Sequence, residues 1–187
     1  ALSLASTGNV QLSPNALLSG TNISVSSSQI TFTGSGASGA GGIQLQNAQN
    51  VNLQSTGLIS FLGNVDLEMD GQGVLTLGAA AFYSDGGQVS ITAPTLVLDN
   101  ELNGPSQSFA AGTGSLAIDA GTLVFGVGDK TLQGFGSLSI QAAQGVVGRG
   151  SGSMNFGSLP LTLQTPIIIA DTGSSQTIST TSGDINL

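Results

Sequence analysis

The chain has 187 residues, of which 39% are hydrophobic, only 6% are charged and 29 are glycine. Its net charge is −8, and Lys130 and Arg149 are its two basic residues, which argues against binding to nucleic acid or to an anionic membrane surface. Cysteine and histidine are both absent, which excludes disulfides, histidine-based catalysis and thiolate or imidazole metal sites within the chain. No run of about 18 apolar residues occurs, so no membrane insertion is expected.

Apolar residues alternate with small polar ones along the whole chain, and this pattern predicts short β-strands. Taken in chain order, the apolar pairs fall into three interleaved series with steps of about twenty to twenty-seven residues. The first series is Ile23, Ile43, Val65, Val89, Leu116, Leu138, Leu161 and Ile185. The second is Ile30, Val51, Leu75, Leu96, Leu123, Val147 and Ile167. The third is Ile59, Ala80, Phe82, Phe109, Leu132, Met154 and Ile178.

The repeat predicts an all-β parallel β-helix, or β-solenoid, of about eight turns with three short strands in each. The stretch "GGQVSITAPTLVLDN", residues 86–100, shows how a turn is built. Val89 and Ile91 are expected to face inward on one wall, and Leu96 and Leu98 on the next. Pro94 lies between the two pairs, where a corner tolerates a residue that cannot donate to a ladder.

A β-sandwich and an antiparallel barrel are the other all-β architectures that the alternation allows. The regular repeat, the scarcity of Asn-Gly hairpin signals and the low aromatic content argue against both. We expect residues 1–187 to be a single β-helix segment cut from a longer chain, because the alternation is already running at its first residues and still running at "SGDINL". Insertions are expected near 33–42 and 100–114.

The densest group of acidic residues is Asp66, Glu68 and Asp70, which alternate with apolar residues in "VDLEMD". On a strand these carboxylates share one face, so they form either a calcium site or a solvated outer surface. Carboxylates on a flat strand lie about 6–7 Å apart and do not close round an ion without a loop. We therefore expect no metal site and no cofactor.

A carbohydrate-processing β-helix would need two carboxylates that face one cleft. Asp99 and Glu101 are the only other close pair of acids, and they begin the second insertion. A lyase would also need basic groups to neutralise its substrate, and the chain offers only two. We expect no enzyme activity and name no catalytic residue, with a carbohydrate-binding or carbohydrate-degrading β-helix kept as the alternative.

The runs "GNVQLSPNALLSGTNISV", "GGQVSITAPTLVLDN", "GSLSIQA" and "TTSGDINL" resemble the repeats of filamentous haemagglutinin-type exoproteins. These are large secreted or surface-anchored bacterial adhesins, commonly exported by two-partner secretion. The resemblance covers essentially the whole chain and implies a right-handed parallel β-helix that forms part of a shaft. The Asn-Pro-Asn motifs of the family's secretion domain are absent, which implies a position further along the parent chain.

The resemblance implies a structural and interaction module that projects a distal binding or effector region from a bacterial cell. Its expected partners are an outer-membrane secretion protein for the parent chain and a receptor or glycan on a host or neighbouring cell. The inward assignment predicts that Ile91→Asp unfolds the chain and that Ser90→Asp, on the outer face, is tolerated.

Overall fold

The computed structural model describes residues 1–35, 42–182 and 184–186, and every regular element in this part of the chain is a β-strand. All strand pairs that it shows are parallel, as in Leu2–Ala5 on Asn22–Ser27, and they stack into a β-solenoid of about seven turns. The predicted architecture is therefore confirmed, with a turn count close to the expected eight.

Each turn, or coil, places one strand on each of three walls, apart from one coil that omits the strand of wall 2. Wall 1 contains β1 (Leu2–Ala5), β4 (Asn22–Ser27), β7 (Asn50–Ser55), β10 (Val74–Gly78) and β17 (Ile168–Ala170). Wall 2 contains β2 (Asn9–Leu12), β5 (Gln29–Thr33), β8 (Leu58–Leu62), β11 (Ala81–Ser84), β15 (Ser151–Asn155) and β18 (Ser175–Ser179). Wall 3 contains β3 (Leu17–Ser19), β6 (Ile43–Gln46), β9 (Val65–Met69), β16 (Leu161–Gln164) and β19 (Ile185–Asn186). Three longer strands bend round corners and serve more than one wall: β12 (Gln88–Asp99), β13 (Ala110–Phe125) and β14 (Gly128–Gly148).

The core is a set of apolar ladders that run parallel to the solenoid axis. On wall 1, Leu53, Leu77 and Leu98 occupy equivalent positions in successive coils, and all three are buried. On wall 2, the rings of Phe32 and Phe61 stack with centroids 5.3 Å apart. These inward side chains are thus shielded from water by the coil above and the coil below.

The corner predicted around Pro94 is present. Val89 and Ile91 pair along wall 3, Leu96 and Leu98 pair along wall 1, and all four side chains are buried. Pro94 has no partner in the register of β12 on β13, so the residue that lacks an N–H lies where the ladder needs none.

Several predicted ladder positions are wrong in register. Val147 and Ile167 were expected to face inward, but Val146 and Ile168 pair within the inner ladder, and Ile167 is half exposed. Ile23 belongs with Val51 on wall 1 rather than with the first series. Where two or three apolar residues are adjacent, alternation fits both registers equally well, so stacking on the neighbouring coil decides between them.

Other positions exchange series because successive coils differ in length, so a similar step along the chain does not always reach the stacked residue. Ile30 pairs with Ile59 on wall 2 instead of joining the second series. Ile43 pairs with Leu67, two residues beyond the expected Val65. These shifts change which side chains stack on one another but keep each of them buried.

One coil contributes no strand to wall 2. Phe109 was expected to lie between Phe82 and Leu132 in the third series, but Phe82 pairs directly with Leu132, so this prediction is wrong. The chain leaves the coil after Asp99 and rejoins it in β13, which begins at Ala110. Phe109 is only partly buried and packs from the outside against the core. The insertion predicted near 100–114 therefore replaces a strand.

The insertion predicted near 33–42 lies mostly outside the described residues, since 36–41 are not among them. Its first residues stay on the coil, because the Gly34 N–H donates to the carbonyl of Leu62 at 2.8 Å.

Candidate functional site

The acidic group on wall 3 does not converge. Asp66, Glu68 and Asp70 are exposed on the outer face, as expected for a solvated surface. Asp66 is paired in register with Ser90 and Glu68 with Thr92, so no second carboxylate faces either from that neighbouring strand. Among the described residues, no group of three acidic side chains could hold a metal ion.

The second acidic pair is split by burial. Asp99 is only 7% exposed, whereas Glu101 lies on the surface at the start of the insertion. Burial raises the pKa of the Asp99 carboxyl, opposed by a hydrogen bond from Gln54. The two acids therefore have different environments.

A buried polar corner between walls 1 and 2, made by Gln54, Asp99, Asn100 and Lys130, was not expected from the sequence. Gln54 and Asp99 come from the two coils that flank Gly78. Because glycine has no side chain, the side chains of Gln54 and Asp99 meet in the space beside Gly78. The Gln54 Nε2 donates to Asp99 Oδ1 at 3.1 Å, which ties three coils together. Among the residues that the structure describes, the buried Gln54 Oε1 has no hydrogen-bond partner.

Lys130 is the only lysine of the chain, and it is 2% exposed. It pairs in register with Met154, so it occupies an inward position on wall 2 beside the missing strand. Its Nζ donates to the carbonyls of Gly126 at 2.8 Å, Val127 at 3.2 Å and Gly128. Burial lowers the pKa of Lys130 to about 8, opposed by the nearby charges of Asp99 and Asp129.

Asn100 anchors the insertion to the polar corner. Its Nδ2 donates to the carbonyls of Asp129 and Gly104, both at 3.1 Å, and its Oδ1 accepts from the Gly104 N–H at 2.8 Å. Its own N–H donates to the Val127 carbonyl at 2.8 Å. Backbone groups that a regular coil would satisfy by strand pairing are satisfied here by side chains, which makes the polar corner a structural device.

We predict that Lys130→Met removes a rise in stability at alkaline pH. Between about pH 8 and 10.4 the folded wild type has released the Lys130 proton while the unfolded chain retains it, so the unfolded state binds more protons and stability rises with pH. The gain should be about 2–3 kcal/mol. Thermal melting from pH 7.5 to 10 measures it. Arg149→Met, which removes an exposed cation, should leave the rise intact.

The outer face of wall 1 carries a surface depression. It is a shallow groove of about 410 Å³ that crosses several coils. Val97 lines it and pairs in register with Val124, and both valines are buried although they face away from the core. The groove is lined by Asn50, Asn52, Val74, Thr76, Val97, Asp99, Glu101, Val127 and Arg149.

Arg149 closes one end of this groove. Its Nε is 3.0 Å from Asp171 Oδ2, and both side chains are about half exposed. An ion pair at such a solvated position contributes little to stability. The pair instead fixes the guanidinium at that end of the groove.

In the part of the chain that the structure describes, no helix has the length and apolar character needed to cross a membrane. Comparison with protein-family models, with curated proteins and with solved structures finds no match.

Proposed function

We propose that this chain is a shaft segment of a large secreted or surface-anchored bacterial adhesin, and that it holds a distal binding or effector region away from the cell without catalysing a reaction. The observation that carries this proposal is the continuity of the stack. On walls 1 and 3, β12 pairs with β13 and β13 with β14 through the coil that contains the insertion.

The stack has the mechanical properties that a shaft needs. Backbone hydrogen bonds between coils run along the axis, so bending the rod strains all three walls together. The missing strand on wall 2 does not open a gap, because Tyr83 pairs directly with Gln133 and Lys130 fills the core beside them. A chain that can omit a strand and still close its wall tolerates surface insertions without a break in the rod.

The resemblance to filamentous haemagglutinin-type exoproteins supports the same proposal. It supplies the expected route, export through an outer-membrane partner, and the expected place, outside the cell. A chain without thiols and with short polar side chains on its outer faces suits folding there, coil on coil, as it emerges.

Binding measurements test the proposal. Fluorescently labelled chain is applied to a panel of host and bacterial cells and to a glycan array, with and without calcium. A passive shaft predicts no saturable binding by a sample that melts cooperatively. Saturable binding to one class of surface would instead assign a recognition role to the segment itself. A requirement for calcium in that binding would favour a calcium site on the acidic face of wall 3.

The groove on wall 1 favours carbohydrate binding as the second candidate. Its valines offer an apolar floor to the C–H face of a sugar, and Asn50, Asn52 and Arg149 offer hydrogen bonds to hydroxyl groups. Thr76→Lys places a long charged side chain within this groove, while Thr162→Lys places the same side chain on the exposed outer face of wall 3. Glycan binding that is lost only in Thr76→Lys would replace the shaft proposal by this one.

A further inference from the structure

One oxygen in the buried polar corner lacks a donor. Gln54 is 5% exposed, and its Nε2 donates to Asn52 Oδ1 at 2.9 Å and to Asp99 Oδ1 at 3.1 Å. These two bonds fix which way the amide faces, because the opposite orientation would place Oε1 against two acceptors. Oε1 is then buried, and no atom in the described part of the chain donates to it. A buried acceptor in this state costs free energy until a donor reaches it.

The Asp99 carboxyl faces the same small space as this oxygen. A Cβ at Gly78 would lie 1.9 Å from Gln54 Oε1 and 2.5 Å from Asp99 Oδ1, so the lack of a side chain there lets the two oxygens approach each other. Gly78 pairs in register with both residues, which come from the coils on its two sides. Two acceptors that share a buried space repel each other unless a hydrogen lies between them. A proton on Asp99 supplies that hydrogen.

The surroundings of Asp99 favour a proton over a metal ion. Burial is the largest influence on the pKa of this carboxyl, and it raises the pKa. Hydrogen bonds from Gln54 and from the Glu101 N–H oppose this effect, the charge of Glu101 adds to it, and the charge of Lys130 in β14 opposes it. A metal ion would bring further positive charge close to Lys130 and would need more oxygens than the two side chains that meet here. A proton only neutralises Asp99.

We propose that Gln54 and Asp99 form an acid latch, in which one proton taken up by Asp99 completes the hydrogen bonding of Gln54 and tightens the link between the coils on either side of Gly78. The neutral carboxyl donates to Gln54 Oε1, and release of the proton leaves two buried acceptors facing each other. Asp99 lines the groove on wall 1, so the proton exchanges with solvent without unfolding. This inference does not depend on the proposed function, since it concerns the polar corner alone.

The acid latch makes stability fall as pH rises. The pKa of Asp99 in the folded chain lies above its ordinary value of 3.8, so between these two values the folded chain binds more protons than the unfolded chain. The stabilisation is fully present below the unfolded pKa and is lost as pH rises through the folded pKa. If Asp99 served instead as an ionised partner of Lys130, stability would change with pH in the opposite direction.

The test compares the wild type with Asp99→Asn. Asparagine has the shape of the neutral carboxyl, and its amide is a permanent donor for Gln54 Oε1. Urea denaturation from pH 4 to pH 7 gives the free energy of unfolding of both proteins. The wild type should lose stability relative to Asp99→Asn as pH rises. Asp119→Asn makes the same change at an exposed side chain on wall 3, and the wild type should show no such loss relative to this control.

A second measurement applies even if Asp99→Asn fails to fold. Carbon-13 NMR of the Asp99 carboxyl in the wild type follows its protonation directly while the chain stays folded. The resonance should titrate above pH 3.8, the ordinary value for this side chain.

Three results would overturn the proposal. A wild type that gains stability relative to Asp99→Asn as pH rises would show that Asp99 acts as a carboxylate. A carboxyl resonance that titrates at or below pH 3.8 would show the same. Stabilisation of the wild type, but not of Asp99→Asn, by calcium chloride or potassium chloride would assign the space to a metal ion. Each of these leaves the shaft proposal unaffected, because that proposal is tested by surface binding.

Discussion

Ile91→Asp should unfold the chain at neutral pH. Ile91 is 3% exposed and lies in the inner ladder of wall 3 between Leu67 and Ile118, so a carboxylate there has no polar partner. An unpaired buried charge costs about 3–5 kcal/mol, and the lost packing adds to this cost. That sum is comparable to the whole stability of many domains.

The loss of stability in Ile91→Asp should become larger as pH rises. Burial would raise the pKa of the new carboxyl, so the folded variant binds more protons than the unfolded chain above about pH 3.9, and its stability falls as pH rises. Chemical denaturation at pH 4 and at pH 8 measures this difference. Ser139→Asp adds the same charge on the exposed outer face of wall 3 and should melt like the wild type. A cooperatively folded Ile91→Asp variant at pH 8 would contradict the inward assignment.

Ser139 is a better control than Ser90. The structure places Ser90 on the outer face, as predicted, but directly beside Asp66 in the ladder. A carboxylate at position 90 would therefore meet a like charge, and the resulting repulsion of a few tenths of a kcal/mol would blur the comparison.

Gly134→Ala should destabilise the chain by about 3–5 kcal/mol and so test the omitted strand on wall 2. Gly134 has φ +78°, and a Cβ at this position would overlap the Ser84 carbonyl oxygen, which belongs to the strand two coils earlier. That contact exists only because the intervening coil gives no strand to wall 2. If residues around Phe109 formed a regular strand there, the clash would be absent.

Gly71→Ala is the matched control for this substitution. Gly71 has φ +81°, almost the same backbone conformation, but a Cβ there would meet no atom within 4 Å. Its cost should be only the 1–2 kcal/mol, roughly, of a left-handed residue other than glycine. Urea denaturation gives the free energy of unfolding of the two variants and so separates backbone strain from the steric clash. Equal losses of unfolding free energy would mean that Gly134 does not touch Ser84.

Much of the fold could be predicted from alternation alone. Val89 and Ile91 are separated by the polar Ser90, so only one register buries both, and Pro94 marks the corner before the next wall. The solvated acidic strand was equally readable, because Asp66 and Glu68 alternate with apolar residues. The local pattern predicts the register of a strand wherever apolar residues occur on only one of its two faces.

The remaining features depend on contacts between coils. "GVVG" and "PIIIA" fit two registers, and "SFA" around Phe109 looks like the centre of a strand although it packs from outside. The buried polar corner was missed because a lysine is expected at the surface. Lys130 is buried because three backbone carbonyls of the preceding loop accept its hydrogen bonds, and that loop conformation cannot be predicted from the sequence. The only available signal was the presence of a single lysine, in the strand that follows β13.

Amide hydrogen exchange tests most directly whether the coils form one uninterrupted stack. In a linear array of coupled coils the opening free energy should rise from each end to a common plateau. We predict that amides of β12, before the insertion, and of β14, after it, share that plateau. Two blocks with different plateau values, divided between Asp99 and Ala110, would contradict a continuous shaft.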